Sequence, residues 1–317
     1  MSINILVVMP VEEKHKITLE SKAPSARFTY VKRGELTAEL VQKANVIIGN
    51  PPVNMIKESK NLKWLQLNSA GVGDYINEGV LHKDTILTNA SGAYGLAISE
   101  YMLGVLLGLY KNLHLYRDNQ NQSKWSYVDK VKSIYKSTAL IVGLGDIGGE
   151  FAKRLKALGA YTIGIRRKST NKPDYLDELH QMEQLNDLLP KADIVALSLP
   201  ATKLTNGIIN KKTLSLMKKD AVIINVGRGT AIDTDALCDA LEKGNLLGAA
   251  LDVTDPEPLP SDHRLWKIKN AIITPHVSGG YSLEETRNRI VNISVENLEA
   301  FLRGKKMRNI VDLSAGY

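Results

Sequence analysis

An apolar run rich in β-branched residues, Ala139–Val142, leads directly into a glycine-rich turn, and this junction constrains the fold more than any other feature. Gly143, Gly145 and Gly148 stand in the spacing G-x-G-x-x-G, and an amphipathic helical pattern follows them. The first glycine permits a tight turn, the second lets the backbone approach a phosphate, and the third lets the helix pack close to the strand. The pattern predicts a dinucleotide-binding loop with a helix N-terminus facing the phosphates, although a tight structural turn would also explain it.

Short apolar runs alternate with helical patterns on both sides of this loop. We expect strands at Ile3–Met9, Phe28–Val31, Val46–Ile48, Trp64–Leu67, Ile86–Thr88, Ala139–Val142, Tyr161–Ile165, Ile194–Leu199, Ala221–Val226, Gly248–Val253 and Ala271–Thr274. Strands that alternate with helices form parallel sheets, so the fold class is α/β with doubly wound sheets. The 317 residues are enough for two such domains, each with its own core.

Two further patterns predict long helices. Gly95–Arg117 is apolar around most of its circumference, so we expect one helix buried between domains or subunits. Leu283–Arg303 is amphipathic and leads the chain back towards the first domain. Asn119–Lys132 is polar and irregular, which is typical of a surface loop.

Cysteine usage and hydropathy limit the cellular context. Cys238 is the single cysteine, which excludes a disulfide framework and a cysteine metal cluster within the chain, and no metal-ligand pattern is visible. Low cysteine use is typical of a reducing compartment. The N-terminal apolar run is short and lacks a preceding basic stretch, and the longest uncharged apolar run, Tyr101–Tyr110, falls short of the roughly 20 residues of a membrane span. We therefore expect a cytoplasmic protein with no membrane partner.

The net charge of +7 raises the question of a nucleic-acid partner. The lysines are spread over the chain, however, and no basic stripe is interleaved with aromatic residues. We interpret the charge as solvated surface that gives some attraction for anionic substrates, and we expect no nucleic-acid binding.

The residues after the expected strand Tyr161–Ile165 indicate which dinucleotide binds. An NAD site usually places an acidic residue there, about 20 residues beyond the glycine loop, to accept from the ribose 2′-hydroxyl. Here the position holds Arg166, Arg167, Lys168 and Ser169. Arginine and lysine cannot accept a hydrogen bond but can bind a 2′-phosphate, so NADP is expected rather than NAD, with a solvated basic loop as the alternative. Within the glycine loop, the carboxylate of Asp146 must point away from the phosphates.

Three polar side chains follow the last three expected strands. Arg228 stands in NVGRG, Glu257 in LDVTDPEPLP and His276 in ITPHVSGG. Because parallel strands end at one edge of a sheet, we expect these side chains to converge there. Reduction of a 2-keto acid needs a proton donor, which a histidine beside a carboxylate can be, and a cation for the substrate carboxylate, which arginine can supply. Taken singly, the residues could be a surface cation, a loop carboxylate and a helix cap.

These residues belong to ordered motifs that resemble those of the D-isomer-specific 2-hydroxyacid dehydrogenases. The resemblance covers nearly the whole chain. The motifs that carry it are NSAGVGDY (68–75), VGLGDIG (142–148), NVGRG (225–229), LDVTDPEPLP (251–260) and ITPHVSG (273–279). The resemblance implies two doubly wound domains, with a Rossmann cofactor domain (97–283) inserted in a flavodoxin-like substrate domain (1–96 and 284–317). It also implies a homodimer, because the helix that begins at Gly95 resembles the one that pairs subunits.

The resemblance also implies roles for individual residues. His276 would be the acid/base, Glu257 its partner and Arg228 the substrate anchor, while the backbone N–H groups of Ala70 and Gly71 would hold the substrate carboxylate. Asp252 would hold the nicotinamide carboxamide. The remaining cofactor contacts implied are Gly143, Gly145, Asp146, Ile147, Gly148, Arg166, Arg167, Lys168, Ser169, Pro200, Thr205, Val226, Arg228 and His276.

The expected function is therefore hydride transfer between NADP(H) and a short 2-keto acid such as glyoxylate or hydroxypyruvate, in the reducing direction. Thr254 stands where the family usually has an aromatic residue, which would change a pocket wall. One alternative is a nucleotide-sensing scaffold, because the family includes co-repressors that keep the catalytic residues. A hydrolase with tightly held NAD is another, but the order of Arg228, Glu257 and His276 and the basic ribose loop argue against it.

Overall fold

The computed structural model describes residues 3–57, 59–128, 130–167, 171–281 and 283–313. It divides into two compact units, one formed by Met1–Tyr94 with Tyr281–Tyr317 and the other by Gly95–Gly280. The domain boundaries expected from the sequence, 96/97 and 283/284, lie two and three residues further along the chain.

A five-stranded parallel sheet forms the centre of the first unit. Its strands are β1 (Asn4–Val7), β2 (Arg27–Tyr30), β3 (Val46–Ile48), β4 (Trp64–Gln66) and β5 (Ile86–Thr88). Their spatial order is β2-β1-β3-β4-β5, which is the flavodoxin-like order. The helices of this unit are α1 (Glu13–Lys22), α2 (Ala38–Lys43), α3 (Val53–Ile56) and α10 (Glu284–Leu302), and α10 packs on α1. The aliphatic side chains of β1, β3 and β4 are fully buried and form the core.

The second unit contains a seven-stranded parallel sheet. Its strands are β6 (Thr138–Val142), β7 (Tyr161–Ile165), β8 (Glu178–His180), β9 (Ile194–Leu197), β10 (Val222–Asn225), β11 (Gly248–Leu251) and β12 (Ala271–Ile273), and its helices are α4 (Gly95–Tyr110), α5 (Leu113–Asn121), α6 (Asp146–Ala157), α7 (Leu185–Leu188), α8 (Lys211–Leu216) and α9 (Thr234–Glu242). The order β12-β11-β10-β9-β6-β7-β8 is that of a Rossmann sheet extended by one strand. The expected fold class is therefore confirmed.

The expected single helix over Gly95–Arg117 is wrong. It is broken at Asn112, whose φ of 56° is left-handed, so α4 ends at Tyr110 and α5 begins at Leu113. Asparagine adopts this conformation more readily than most residues. The buried face of α4 packs on α6, β10 and β11 of its own unit. The expected surface loop begins later than predicted, because α5 continues to Asn121.

Edge elements differ most from the sequence prediction. The short edge strand β8 was not predicted, because its three half-buried residues, Glu178–His180, carry no apolar run. Several expected strands are one to three residues too long, since apolar residues such as Leu199 stay buried after the strand has ended. Apolar runs therefore report burial, whereas the strand itself ends where the hydrogen-bonded pairing ends.

Candidate active site

The glycine loop between β6 and α6 has the shape that a phosphate site requires. Gly143 has a φ of +101°, and a Cβ on it would lie 2.8 Å from the carbonyl oxygen of Ser198. A Cβ on Gly148 would lie 1.9 Å from the carbonyl oxygen of Gly143, so strand and helix approach too closely for a side chain. A Cβ on Gly145 would meet nothing within 4 Å, which leaves open space above the N-terminus of α6.

The first turn of α6 supplies the donors for this space. Backbone N–H groups at a helix N-terminus have no partner within the helix, and here they belong to Asp146, Ile147 and Gly148. Donors, positive dipole end and open space together fit a dinucleotide pyrophosphate.

The side chain of Asp146 is directed at the N-terminus of α4. Its Oδ2 accepts a hydrogen bond of 2.7 Å from the backbone N–H of Gly95. A Cβ on Gly95 would lie 2.3 Å from Oδ1 of Asp146, so this contact requires glycine at position 95. The contact keeps the carboxylate engaged with the chain, yet the charge still lies at the first residue of the phosphate-binding helix.

Basic side chains follow β7, the neighbour of β6, at the carboxyl edge of the sheet. Arg166 is half-buried and its backbone N–H donates to the carbonyl oxygen of His180, while Arg167 is exposed. Lys168 and Ser169, assigned to the cofactor from the sequence, lie outside the described residues. Two guanidiniums at this place provide the planar forks that phosphate oxygens match.

Hydrogen bonds within the segment after β9 link Pro200 to Thr205. The hydroxyl of Thr205 donates to the carbonyl oxygen of Pro200 at 2.6 Å and accepts from the backbone N–H of Thr202 at 2.9 Å. The hydroxyl of Thr205 therefore fixes this loop beside the glycine loop, because β9 pairs directly with β6.

The carboxyl ends of β10, β11 and β12 bring together the three polar side chains expected there. Nδ1 of His276 lies 2.6 Å from Oε1 of Glu257, and both side chains are about half exposed. Arg228 is half-buried at the end of β10, just after the buried Val226, and one of its nitrogens donates to the carbonyl oxygen of Gly227. Adjacent parallel strands thus place a histidine–carboxylate pair and an arginine at one edge of one sheet.

Asp252 fixes the turn that carries His276. Its Oδ1 accepts from the hydroxyl of Thr274 at 2.6 Å and from the N–H of Val277 at 2.9 Å, and its Oδ2 accepts from the N–H and the hydroxyl of Ser278. The N–H of His276 donates to the carbonyl oxygen of the same aspartate. These four side-chain hydrogen bonds fill the acceptor sites of a carboxylate, and Asp252 is 1% exposed. The sequence assigned Asp252 to the nicotinamide carboxamide, whereas in this structure its contacts are to the His276 turn.

Tyr101 and Thr274 extend this network, and sequence reasoning missed both. The hydroxyl of Tyr101, on α4, lies 2.6 Å from the hydroxyl of Thr274, which itself donates to Asp252. Burial raises the pKa of Tyr101, so it remains a neutral donor. His276 needs such support because its φ of 52° is unusual for a residue with a side chain.

In the first unit, Ala70 and Gly71 follow β4 at the carboxyl edge of its sheet. Among the described residues, neither backbone N–H has a hydrogen-bond partner, whereas both carbonyl oxygens accept hydrogen bonds from side chains. A loop with open N–H donors and occupied carbonyl oxygens is suited to bind an anion.

The described residues contain neither a metal-ion cluster nor a membrane-spanning helix. Within residues 3–313, leaving out the four gaps named above, no cluster of three or more His, Cys, Asp or Glu side chains could hold a metal ion. No helix in the described part of the chain is long and apolar enough to cross a membrane.

Comparison with known proteins agrees with this geometry. Residues 103–278 match the family model described as D-isomer specific 2-hydroxyacid dehydrogenase, NAD binding domain. A glyoxylate reductase of Thermofilum pendens is 33% identical over 254 residues, which cover 77% of this chain and 73% of that protein. A D-3-phosphoglycerate dehydrogenase of Methanocaldococcus jannaschii is 30% identical over 316 residues, covering 98% of this chain and 60% of that protein.

A solved structure is similar over the whole chain. It is a D-isomer specific 2-hydroxyacid dehydrogenase from Xanthobacter autotrophicus in complex with NADPH and MES, with 26% identity, a TM-score of 0.82 and complete coverage of both chains. Motifs, sheet order and the histidine–carboxylate pair lead to the same assignment: this chain belongs to the D-isomer specific 2-hydroxyacid dehydrogenase family.

Proposed function

We propose that this protein uses NADPH to reduce a short 2-keto acid to the D-2-hydroxy acid. The observation that carries the proposal is the His276–Glu257 pair, held at the same sheet edge as the glycine loop. The glyoxylate reductase among the relatives supports a small keto acid as substrate. Cys238 is buried, which is compatible with the reducing cytoplasm in which we expect the reaction.

The residues of this chain divide the remaining work. Gly145 and the first turn of α6 would hold NADPH, which would supply the hydride. Nδ1–H of His276 donates to Glu257, which leaves Nε2 to deliver a proton to the carbonyl oxygen. The carboxylate of Glu257 stabilises the protonated imidazole until that transfer. Arg228 neutralises the negative charge of the substrate, and the open amides of Ala70 and Gly71 bind its carboxylate.

We attribute the preference for NADPH to Arg166 and Arg167. Both lie where an NAD site would place an acidic acceptor, and they can form charge-assisted hydrogen bonds with a 2′-phosphate. The NADPH bound in the Xanthobacter autotrophicus structure supports this choice.

Initial-rate measurements with NADPH and NADH test the proposal. The substrates would be glyoxylate, hydroxypyruvate, pyruvate and a phosphorylated hydroxypyruvate, and His276→Ala would be the control. We expect NADPH-selective turnover of at least one short keto acid and its loss in the variant. NADPH binding without turnover of any keto acid would contradict the proposal and favour a nucleotide-sensing scaffold.

Paired substitution of Arg166 and Arg167 by alanine tests the cofactor preference. Loss of charge-assisted hydrogen bonds, each worth about 1.5–3 kcal/mol, should raise the KM for NADPH at least tenfold and leave that for NADH unchanged. Arg303→Ala, at the exposed C-terminal end of α10, is the matched control. Equal effects on the two cofactors would contradict the assignment.

We also propose that the protein is a homodimer. Five large apolar or aromatic side chains are exposed along the segment from α5 to β6, and Trp125 is fully exposed: Leu113, Trp125, Tyr127, Val131 and Tyr135. Exposed apolar groups this concentrated mark an interaction surface, and a second copy of the chain is the occupant that the resemblance implies. Sedimentation equilibrium should give a dimer, and Trp125→Ala with Tyr127→Ala should weaken it. A wild-type monomer at micromolar concentration would contradict the proposal.

A further inference from the structure

Every carbonyl oxygen of the loop formed by residues 68–71 accepts a hydrogen bond from the chain. The hydroxyl of Tyr94 donates to that of Asn68, and the N–H of Ala90 to that of Ser69 at 2.9 Å. Nδ2 of Asn89 donates to the carbonyl oxygen of Ala70 at 3.0 Å, and the hydroxyl of Ser69 to that of Gly71 at 2.6 Å. The loop therefore has four satisfied acceptors in a row.

Because the peptide bond is planar, a contact that fixes a carbonyl group also fixes the direction of the next residue's N–H group. In a trans peptide, the C=O of one residue and the N–H of the next point in opposite directions. The contact on the carbonyl of Ser69 thus directs the N–H of Ala70 to the opposite side, and the contact on Ala70 does the same for Gly71. Neither of these N–H groups has a hydrogen-bond partner among the described residues.

The side chain of Asn89 is itself fixed, so it can impose this direction. Its Oδ1 accepts from the N–H of Ser91 at 3.1 Å, which leaves Nδ2 directed at Ala70. Its backbone N–H donates to the carbonyl oxygen of Asn309, and the side chain of Asn309 donates to its carbonyl oxygen, each at 3.2 Å. Asn89 is 6% exposed and directly follows β5. Both ends of its amide and both backbone groups are occupied.

Asn50 supports the same loop from the end of β3. Its Oδ1 accepts from the N–H of Asn68 at 2.9 Å, and its Nδ2 donates to the hydroxyl of Ser69 at 2.9 Å. Because that hydroxyl accepts from Asn50, its own hydrogen is directed at Gly71. Two asparagines that follow separate strands, β3 and β5, thus hold one loop.

We propose that Asn89 is a positioning residue that directs the Gly71 N–H at the substrate carboxylate, with Asn50 and Ser69 fixing the rest of the loop. The proposal rests on the proposed function only in naming a carboxylate as the anion. Asn89 acts through the peptide between Ala70 and Gly71 and does not touch the substrate. The hydrogen bonds of Asn89 described above go to Ala70, Ser91 and Asn309, and the glycine loop belongs to the second unit.

The test compares Asn89→Ala with Asn45→Ala. Asn45 lies in the same unit and also bonds backbone groups through its side chain, but it precedes β3 at the opposite edge of the sheet. We expect Asn89→Ala to raise the KM for the keto acid three- to tenfold, the effect of one lost hydrogen bond. The Kd for NADPH, measured by its fluorescence, should stay the same, and Asn45→Ala should change neither constant.

A binding measurement makes the test independent of turnover. The NADPH-loaded protein would be titrated with oxamate, an unreactive carboxylate of the same shape as a small keto acid, and the Asn89 variant should bind it three- to tenfold more weakly. An inactive wild type that binds oxamate with this dependence would refute the proposed function and support the positioning role. A folded variant with unchanged KM and oxamate Kd would overturn the role of Asn89.

A second variant covers failure of the alanine variant to fold. Asn89→Asp keeps the shape and the acceptor for Ser91 but cannot donate to Ala70. It should weaken oxamate binding at least as much, since its charge also repels the anion. Unchanged oxamate affinity in Asn89→Asp would overturn the proposal.

Discussion

At His276, one hydrogen bond decides which ring nitrogen can act on a substrate. The 2.6 Å contact with Glu257 occupies Nδ1, so in the proposed reaction Nε2 would transfer the proton. The Asp252 network holds the turn on which the ring is mounted, through donors from Thr274, Val277 and Ser278. Glu257 therefore determines which ring nitrogen is open, whereas Asp252 determines the position of the turn that carries the ring.

Glu257→Gln tests whether Glu257 supports His276 as the proposed acid. Glutamine keeps a hydrogen-bond acceptor for Nδ1 but loses the charge that stabilises the protonated ring, so kcat should fall about 10- to 100-fold. The Kd for NADPH should be unchanged, and Glu242→Gln, on the surface of the same unit, serves as control. A kcat equal to that of the wild type would show that Glu257 does not support the acid.

Asp146 gives the second residue-scale prediction. Asn in its place can still accept from the N–H of Gly95 but removes a negative charge from the first turn of the phosphate-binding helix. NADPH should bind several-fold more tightly at low salt and less so at high salt. Loss of the favourable charge–dipole interaction should lower the free energy of unfolding by about 0.3–1 kcal/mol.

Asp233→Asn is the matched control, because Asp233 caps α9 away from the glycine loop. It should lower stability without changing NADPH affinity. Weaker NADPH binding by Asp146→Asn would contradict the electrostatic account and assign the carboxylate a supporting role in the site.

Residues that depend on local geometry could be predicted from the sequence, and residues that depend on distant partners could not. The roles of Gly143 and Gly148 are predictable because the G-x-G-x-x-G spacing marks positions at which a side chain would clash with the backbone. The contacts of Asn89 and Tyr101 join positions far apart in the chain, with no local pattern to reveal them. The family resemblance drew attention to Asp252, but its partners in the His276 turn were visible only in the structure.

At the scale of elements, the break between α4 and α5 creates a titratable site. Nδ1 of His114, on α5, lies 3.3 Å from the carbonyl oxygen of Gly108, on α4, while its buried Nε2 has no partner among the described residues. Burial lowers the pKa of His114 below its ordinary value of 6.5. As the pH falls below 6.5, His114 therefore binds fewer protons in the folded protein than in the unfolded chain, and the free energy of unfolding decreases.

His114→Asn should reduce this acid sensitivity, because asparagine can donate to Gly108 but does not titrate. We expect the midpoint of urea unfolding to drop less between about pH 7.5 and about pH 5.5 in the variant than in the wild type. The exposed His82, replaced in the same way, is the control. Equal pH dependence in the His114 variant and the wild type would contradict the assignment.

The errors in the predicted helix and strand boundaries have a common physical cause. Leu113 continues the apolar pattern of α4, so periodicity gives no sign of the break, yet it is 57% exposed because the left-handed Asn112 turns the chain away. The edge strand β8 is set by its pairing with β7 and not by hydrophobicity. The ends of elements are decided by backbone hydrogen bonds, which side-chain patterns report only indirectly.

At the scale of the molecule, the candidate binding groups are divided between the two units. The first unit offers open amides after β4, and the second offers the glycine loop, the basic residues after β7 and the His276 turn. The family resemblance implied a Rossmann domain and a flavodoxin-like domain. Hydropathy alone does not give the strand orders, because an apolar run does not show which strand lies beside it.

This division predicts how ligands stabilise the protein. Saturating NADPH should raise the melting temperature, since about 2.7 kcal/mol of stabilisation is expected at 100 times the Kd, and NADH at the same concentration should raise it less. The difference should vanish in the double alanine variant of Arg166 and Arg167 and persist in Asn89→Ala. Equal stabilisation by both cofactors in the wild type would contradict the basic loop as the selective element.

The most direct test of the central claim follows the hydride into the product. The protein would be supplied with glyoxylate or hydroxypyruvate and NADPH that carries deuterium at the transferred position, and the product would be examined by mass spectrometry and chiral chromatography. We predict one deuterium on the carbon next to the carboxylate, the D configuration when the product is chiral, and no product from His276→Ala. An L product, or a product without deuterium, would contradict the assignment of this chain as an NADPH-dependent D-2-hydroxyacid dehydrogenase.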